Sequence, residues 1–324
     1  MILNHINSIL GVAKTKISVY STRKRLLKLP LLKDPFFIIV MPGGMHLAYL
    51  AMQFIPGYVD KVIVLNGVAP WESSWARRMM GADYYVDVRF SLRHSEVLDL
   101  LFDSIPYNFG VVDYDCYVFR EQLFSEMAKI SNDCAINAVF FRNNPVLKWD
   151  VPETFLLFFN IELINRIRSV YGVGAAPAKW DDLSDKVKCA LESIGLGPEC
   201  LPEAHKPYFD TLRVLMMLSR VEKNSYHFVE RLPASPTPSE TAYHVGGVSD
   251  PANVTGIWNY RGAYFWYRVL EQIDDEELKR AYSRKFPKTT AKELLQRQTE
   301  GGLEMPRAFM DFCERLITAG LARS

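Results

Sequence analysis

Between residues 36 and 113, short apolar runs alternate with stretches of helical period, and this alternation constrains the fold most. Phe36-Phe37-Ile38-Ile39-Val40 is an unbroken apolar run that stops at Pro42-Gly43-Gly44. A run with no polar member predicts a strand buried on both faces. Residues 45–55 are helix-compatible, Val62-Ile63-Val64-Leu65 repeats the run and stops at Asn66-Gly67, and residues 71–81 read as helix again. Tyr84 to Val88 is a third strand, His94 to Phe102 a further helix, and Phe109-Gly110-Val111-Val112 a fourth strand that runs into Asp113. Strands and helices in this order predict βαβ units and a mostly parallel, Rossmann-like sheet flanked by helices. Ligands of such open sheets sit at the carboxyl ends of the strands. Gly43-Gly44, Asn66 and Asp113 to Asp115 therefore fall on one rim.

Beyond residue 116 the rhythm changes. Thr154 to Phe159 is an apolar run ending at Asn160 and leading into a helix, and Asp210 to Arg220 reads as a helix with an acid at its start. Residues 232–240, with three prolines among small polar neighbours, predict a loop. The chain from about Tyr260 is helical by period, with a break near Pro287. Three segments follow: a basic amphipathic stretch (1–35), an α/β body (36–250) and a helical C-terminal extension (251–324).

Charge separates the first segment from the rest. Residues 1–33 hold Lys14, Lys16, Arg23, Lys24, Arg25, Lys28 and Lys33 and no acid. Taking those seven from 38 basic residues leaves 31 against 37 acidic ones, a net of −6 for the remainder. A basic leader bearing Leu and Ile fits either a helix packed on the body or peripheral contact with an anionic membrane face. The overall net charge of +1 gives no support to nucleic-acid binding. No stretch reaches the ~18 apolar residues of a spanning helix. The five scattered cysteines form no C-x-x-C pair, so a reducing, cytoplasmic setting is expected.

Chemistry concentrates in Val111-Val112-Asp113-Tyr114-Asp115-Cys116-Tyr117. Two carboxylates at i and i+2 at a strand end face one side, and Mg²⁺ or Mn²⁺ takes such oxygens together with substrate phosphate. Carboxylates flanked so closely by apolar residues are costly unless paired or metal-bound. Far downstream stands Tyr243-His244-Val245-Gly246-Gly247. His244 is a competent ligand, and the glycines would let backbone amides approach a phosphate.

A strand-borne D-x-D preceded by a helix, then an apolar strand ending in Asn, then a late His-x-Gly-Gly resembles the GT-A glycosyltransferases over roughly residues 36–250. The resemblance implies a metal-dependent transfer of a sugar from a nucleoside-diphosphate sugar to a glycan or glycolipid-type acceptor, carbohydrate or lipid-linked, inverting where one of the acids named below serves as base and retaining where none does. It implies Mn²⁺ or Mg²⁺ on Asp113, Asp115 and His244, with Gly43, Asn66, Asp113 and Tyr114 at the nucleotide. By chain order it implies Asp210 as the base, with Glu153 and Asp181-Asp182 as weaker choices, although an aspartate at a helix start is also an ordinary N-cap. His94, at the start of the helix before the motif, is implied to lie beside the donor.

Other readings remain. An α/β-hydrolase would need a G-x-S-x-G elbow, which the chain lacks. A metal-dependent sugar nucleotidyltransferase shares the paired carboxylates, yet Met45-His46-Leu47-Ala48 follows Gly43-Gly44 where a basic loop is expected. A catalytically inactive nucleotide-binding scaffold is the third.

Overall fold

The computed structural model describes residues 2–144, 149–199, 208–223, 225–235, 237–249, 251, 256–287, 289–300 and 304–323. The elements run α1 (Ile2–Leu26), β1 (Phe36–Val40), α2 (Met45–Met52), β2 (Lys61–Asn66), α3 (Pro70–Met79), β3 (Tyr84–Val88), α4 (His94–Ser104) and β4 (Phe109–Asp113). Then follow β5 (Cys116–Val118), α5 (Gln122–Ala128), β6 (Ile136–Asn144), β7 (Trp149–Pro152), β8 (Leu156–Phe159), α6 (Ile161–Tyr171), a single 3₁₀ turn (Trp180–Asp182), α7 (Asp185–Glu192), α8 (Arg213–Val221), β9 (Tyr226–Pro233) and β10 (Ala242–His244). Four helices close the chain: α9 (Gly256–Gln272), α10 (Glu276–Lys285), α11 (Ala291–Glu300) and α12 (Arg307–Leu321).

The main sheet has the order β3-β2-β1-β4-β8-β6-β7, with β9 also paired to β6. Pairs among β1 to β4 are parallel, β8 and β7 run antiparallel to their neighbours, and β9 is parallel to β6. The expected mostly parallel α/β sheet, with a helical C-terminal stretch, is therefore present. All five residues of β1 are buried. Its Phe36, Ile38 and Val40 enter one core and Phe37 and Ile39 the other, as period-2 alternation in a two-sided strand demands. Strand order reverses between β1 and β4, the switch point at which such sheets bind ligands.

Two expectations are corrected. The Pro-rich loop begins two residues later than 232, because Leu232 and Pro233 still pair with Phe140 and Phe141 at the end of β9. Pro233 is tolerated there because β9 pairs with β6 alone and the next ladder donor is Ala234, whose N–H reaches the Phe141 carbonyl at 2.8 Å. Asp210 does not start a helix either: α8 begins at Arg213 with Leu212 as its N-cap, a residue held at φ +63°. Asn160, by contrast, caps α6 by accepting the Leu163 N–H. Residues 173–207, which by sequence mix a short helix with a Gly- and Pro-rich loop, are described only as far as 199.

The α1 helix packs along α4 and β3 through Ser18, Thr22 and Leu26, and Ser18 exchanges hydrogen bonds with the backbone of Phe90. The C-terminal helices share the core beneath α2 and β5. No helix among the described residues is long and apolar enough to cross a membrane.

Candidate active site

Asp113 closes β4, Tyr114 and Asp115 form a turn, and Cys116 opens β5. β5 then pairs antiparallel with β10, which sets His244 opposite Cys116, while the Val245 N–H donates to the Asp115 carbonyl at 3.1 Å. This two-stranded ribbon is how residues about 130 positions apart in sequence meet. His244 Nε2 lies 3.3 Å from Asp115 Oδ1 and 3.7 Å from Asp113 Oδ2. One ligand atom from each of Asp113, Asp115 and His244 falls within 4.8 Å of the others.

The surroundings hold these atoms in place. Phe155 stacks on the His244 ring at 3.5 Å between centroids and 13° between planes. Asp115 Oδ2 accepts the Gly246 N–H at 3.1 Å, which leaves Oδ1 for the cluster. Gly246 and Gly247 both have positive φ, and a Cβ on Gly262 of α9 would meet the Gly247 carbonyl carbon at 2.2 Å. The glycine pair thus serves a left-handed turn under a closely packed helix.

Electrostatics favour a cation. Burial pushes Asp113 up to about 7, against the pull of His244 and with a smaller push from Asp115. Burial works against a charged His244, yet the Asp115 and Asp113 carboxylates raise its pKa overall. Two close carboxylates and an imidazole whose buried Nδ1 has no protein partner are a poor arrangement by themselves. The same set suits a hard divalent ion, so the residues fit Mn²⁺ or Mg²⁺.

Beside the cluster opens a cavity of about 660 Å³ lined by Phe140, Arg142, Glu153, Phe155, Asp210 and His244, among others. The carboxyl ends of β6 and β9 and the segment entering β8 bring these residues to the same rim. Asp210 therefore shares the cavity with His244 of the cluster. Its carboxylate Oδ1 accepts the Thr211 N–H at 2.8 Å and does not cap α8. Burial drives His94 down to about 4, and the carboxylates of Asp115 and Asp210 pull it the other way, so the imidazole stands near both.

The remaining sequence candidates lie elsewhere or are engaged. Both Glu153 oxygens are held by guanidinium groups, Oε1 by Arg142 Nε at 2.5 Å and Oε2 by Arg213 Nη2 at 3.3 Å. Asp181 and Asp182 are exposed on the 3₁₀ turn. The side chain of Asn66 staples β2 to the next loop, donating to the Leu92 carbonyl (2.8 Å) and accepting the Leu92 N–H (2.9 Å). Gly43 gives its N–H to the buried Glu72 and its carbonyl accepts from Trp266 Nε1, both at 2.8 Å. Tyr114 is buried with its ring against Gly44 and its hydroxyl hydrogen-bonded to Ser249. Phe155 and Arg142 escaped sequence reading because their importance lies in cross-strand placement, which no local motif records.

Residues 15–164 match the StrH glycosyltransferase N-terminal domain family. A stretch of 96 residues is 28% identical to the dTDP-dihydrostreptose–streptidine-6-phosphate dihydrostreptosyltransferase of Streptomyces griseus, covering 30% of this chain and 25% of that protein. The matched stretch thus spans about a quarter of the relative's length. Asp113 and Asp115 fall inside the family match, whereas Asp210 and His244 lie beyond it. Both likenesses are to glycosyltransferases.

Proposed function

We propose that the chain transfers a sugar from a nucleoside-diphosphate donor to an acceptor hydroxyl held in the 660 Å³ cavity, with inversion and with a divalent ion on Asp113, Asp115 and His244. The observation that carries this reading is the convergence of those three residues, with His244 on the cavity that Asp210 also lines. When bound, the ion would offset negative charge on the departing diphosphate. Asp210 takes the proton of the acceptor hydroxyl, and Phe155 fixes the His244 ring. The Streptomyces relative is named for a deoxythymidine diphosphate donor, so a thymidine or uridine diphosphate sugar is the first donor class to try.

Thermal shift with thymidine or uridine diphosphate tests this directly. With Mn²⁺ at 100 times Kd, stabilisation is about 2.7 kcal/mol, a rise of a few degrees, and with EDTA there is none. Equal stabilisation with and without metal would remove the metal from the reading. A response to nucleoside triphosphates alone would favour a nucleotidyltransferase.

The exposed face of α1 supports peripheral membrane contact. Of the seven large hydrophobic residues that are exposed among those described, Val12, Ile17, Tyr20, Leu27 and Leu31 fall in this one stretch, amid basic residues and no acid. Lysines that snorkel above such a face gain about 1 kcal/mol each at an anionic surface. Vesicles containing phosphatidylserine should float the protein, neutral vesicles should not, and Lys24→Gln with Lys28→Gln should weaken flotation about tenfold or more. Flotation equal on both vesicle types sinks the idea.

A further inference from the structure

The cavity lining holds two chemically different groups, of which His244 and Asp210 are one. The other is built on Arg142, near the end of β6 and opposite Val151 of β7. Its Nε is tied to Glu153 at 2.5 Å. The second Glu153 oxygen belongs to Arg213, a guanidinium with only 3% of its side chain exposed that also donates to the Pro152 carbonyl and points into the protein. Two guanidinium groups therefore share one carboxylate, and the trio carries a net positive charge.

That charge reaches solvent only at Arg142, whose side chain is 40% exposed and lines the cavity. Among the described residues its two terminal nitrogens have no protein partner. A guanidinium anchored through Nε presents its remaining N–H groups as a fixed fork, the geometry that grips a carboxylate or phosphate in two-point fashion. The hydroxyl residues Thr154, Ser235 and Ser239 line the same space and add neutral donors.

We propose that this wall is an anion subsite that selects acceptors carrying a phosphate or carboxylate and orients their hydroxyl toward Asp210. The word acceptor rests on the glycosyltransferase reading, whereas the anion site does not. An anion bound there would pair with the outer N–H groups of Arg142.

The test uses the full chain in EDTA, so that no metal can hold the probe, with glucose 6-phosphate compared against glucose at equal ionic strength. Calorimetry should show binding of the sugar phosphate and none of the neutral sugar. Arg142→Gln should weaken that binding about tenfold or more, the worth of charge-assisted hydrogen bonds. Arg142→Lys keeps a cation beside Glu153 but lacks the fork, so it should fall between the two and serves if the glutamine variant does not fold. Mn²⁺-dependent nucleoside diphosphate binding should persist in both variants. Equal response to the two sugars, or an unchanged Arg142→Gln, overturns the subsite. Loss of diphosphate binding in Arg142→Lys reassigns the arginine to the donor and overturns it as well. Sugar phosphate binding by a protein that binds no nucleoside diphosphate would leave the subsite standing and remove the glycosyltransferase reading.

Discussion

Asp115→Ala should abolish Mn²⁺-dependent binding of nucleoside diphosphate and take turnover with it. Substitutions one shell out from a metal typically cost ten- to a hundredfold in affinity, so loss of a direct ligand should cost ~100-fold or more. Asp115 is buried, its Oδ1 faces His244 and its Oδ2 holds the Gly246 N–H, so alanine also strips a buried amide of its acceptor. Asp115→Asn separates the two effects. It keeps an acceptor for Gly246 while losing the charge, so it should melt near wild type and still bind Mn²⁺ poorly. Wild-type metal affinity in either variant would remove the site assignment.

Metal affinity should also depend on pH in a defined direction. Burial holds Asp113 protonated up to about 7 in the metal-free protein, and the neighbouring carboxylates keep a proton on His244 beyond its ordinary range. The ion must displace those protons. Affinity should therefore rise with pH from 5.5 through 7, by about tenfold per unit for each proton displaced. The stability linked to these raised groups is present at low pH and lost as pH rises. Asp113 loses it between its unfolded value of 3.8 and about 7, and His244 loses it above 6.5. The metal-free melting temperature should consequently fall between pH 6.5 and 8, and Mn²⁺ should restore it. Titration calorimetry giving one Mn²⁺ affinity from pH 5.5 to 8 would contradict this.

Sequence reading succeeded where local pattern and burial coincide. β1 is an unbroken apolar run, and β2 is one between Lys61 and Asn66, because both faces of a central parallel strand are covered, so the runs mark them in any context. Asn160 could be placed at the start of α6 because capping is a local event. β6 and β9 carry no such mark: arginines, a histidine and asparagines interrupt them, and only pairing with each other and with β7 and β8 makes them strands. The candidate site divides along the same line. Asp113 and Asp115 are visible as a motif at a strand end, whereas the Phe155 stack and the Arg142–Glu153–Arg213 trio exist only after antiparallel strands have met. Gly43 and Asn66 show the converse. Their positions at strand ends are as expected, but the C-terminal aromatic residues and a neighbouring loop take up their hydrogen bonds, and nothing local foretells that.

Asp210→Asn should lower turnover by about 10²- to 10⁴-fold while leaving Mn²⁺-dependent donor binding within about twofold, the pattern of a lost general base. The residue occupies a segment whose geometry is fixed from both sides. Phe209 is fully buried and exchanges backbone hydrogen bonds with Ala178 at 2.8 and 3.0 Å. Leu212 gives its N–H to the Ala175 carbonyl at 2.9 Å while held at φ +63°, a conformation that costs a leucine about 1–2 kcal/mol. Strain of that kind persists only where the surroundings impose it, and here it turns the chain sharply just after Asp210. Asparagine has the same shape and can still accept the Thr211 N–H, so a drop in turnover would not come from unfolding. An N-cap role would predict the opposite, a loss of melting temperature with turnover kept, and α8 is capped at Leu212 instead. Turnover of Asp210→Asn within threefold of wild type would exclude the carboxylate as the base. Loss of donor binding along with turnover would move Asp210 from the acceptor side of the cavity to the donor side.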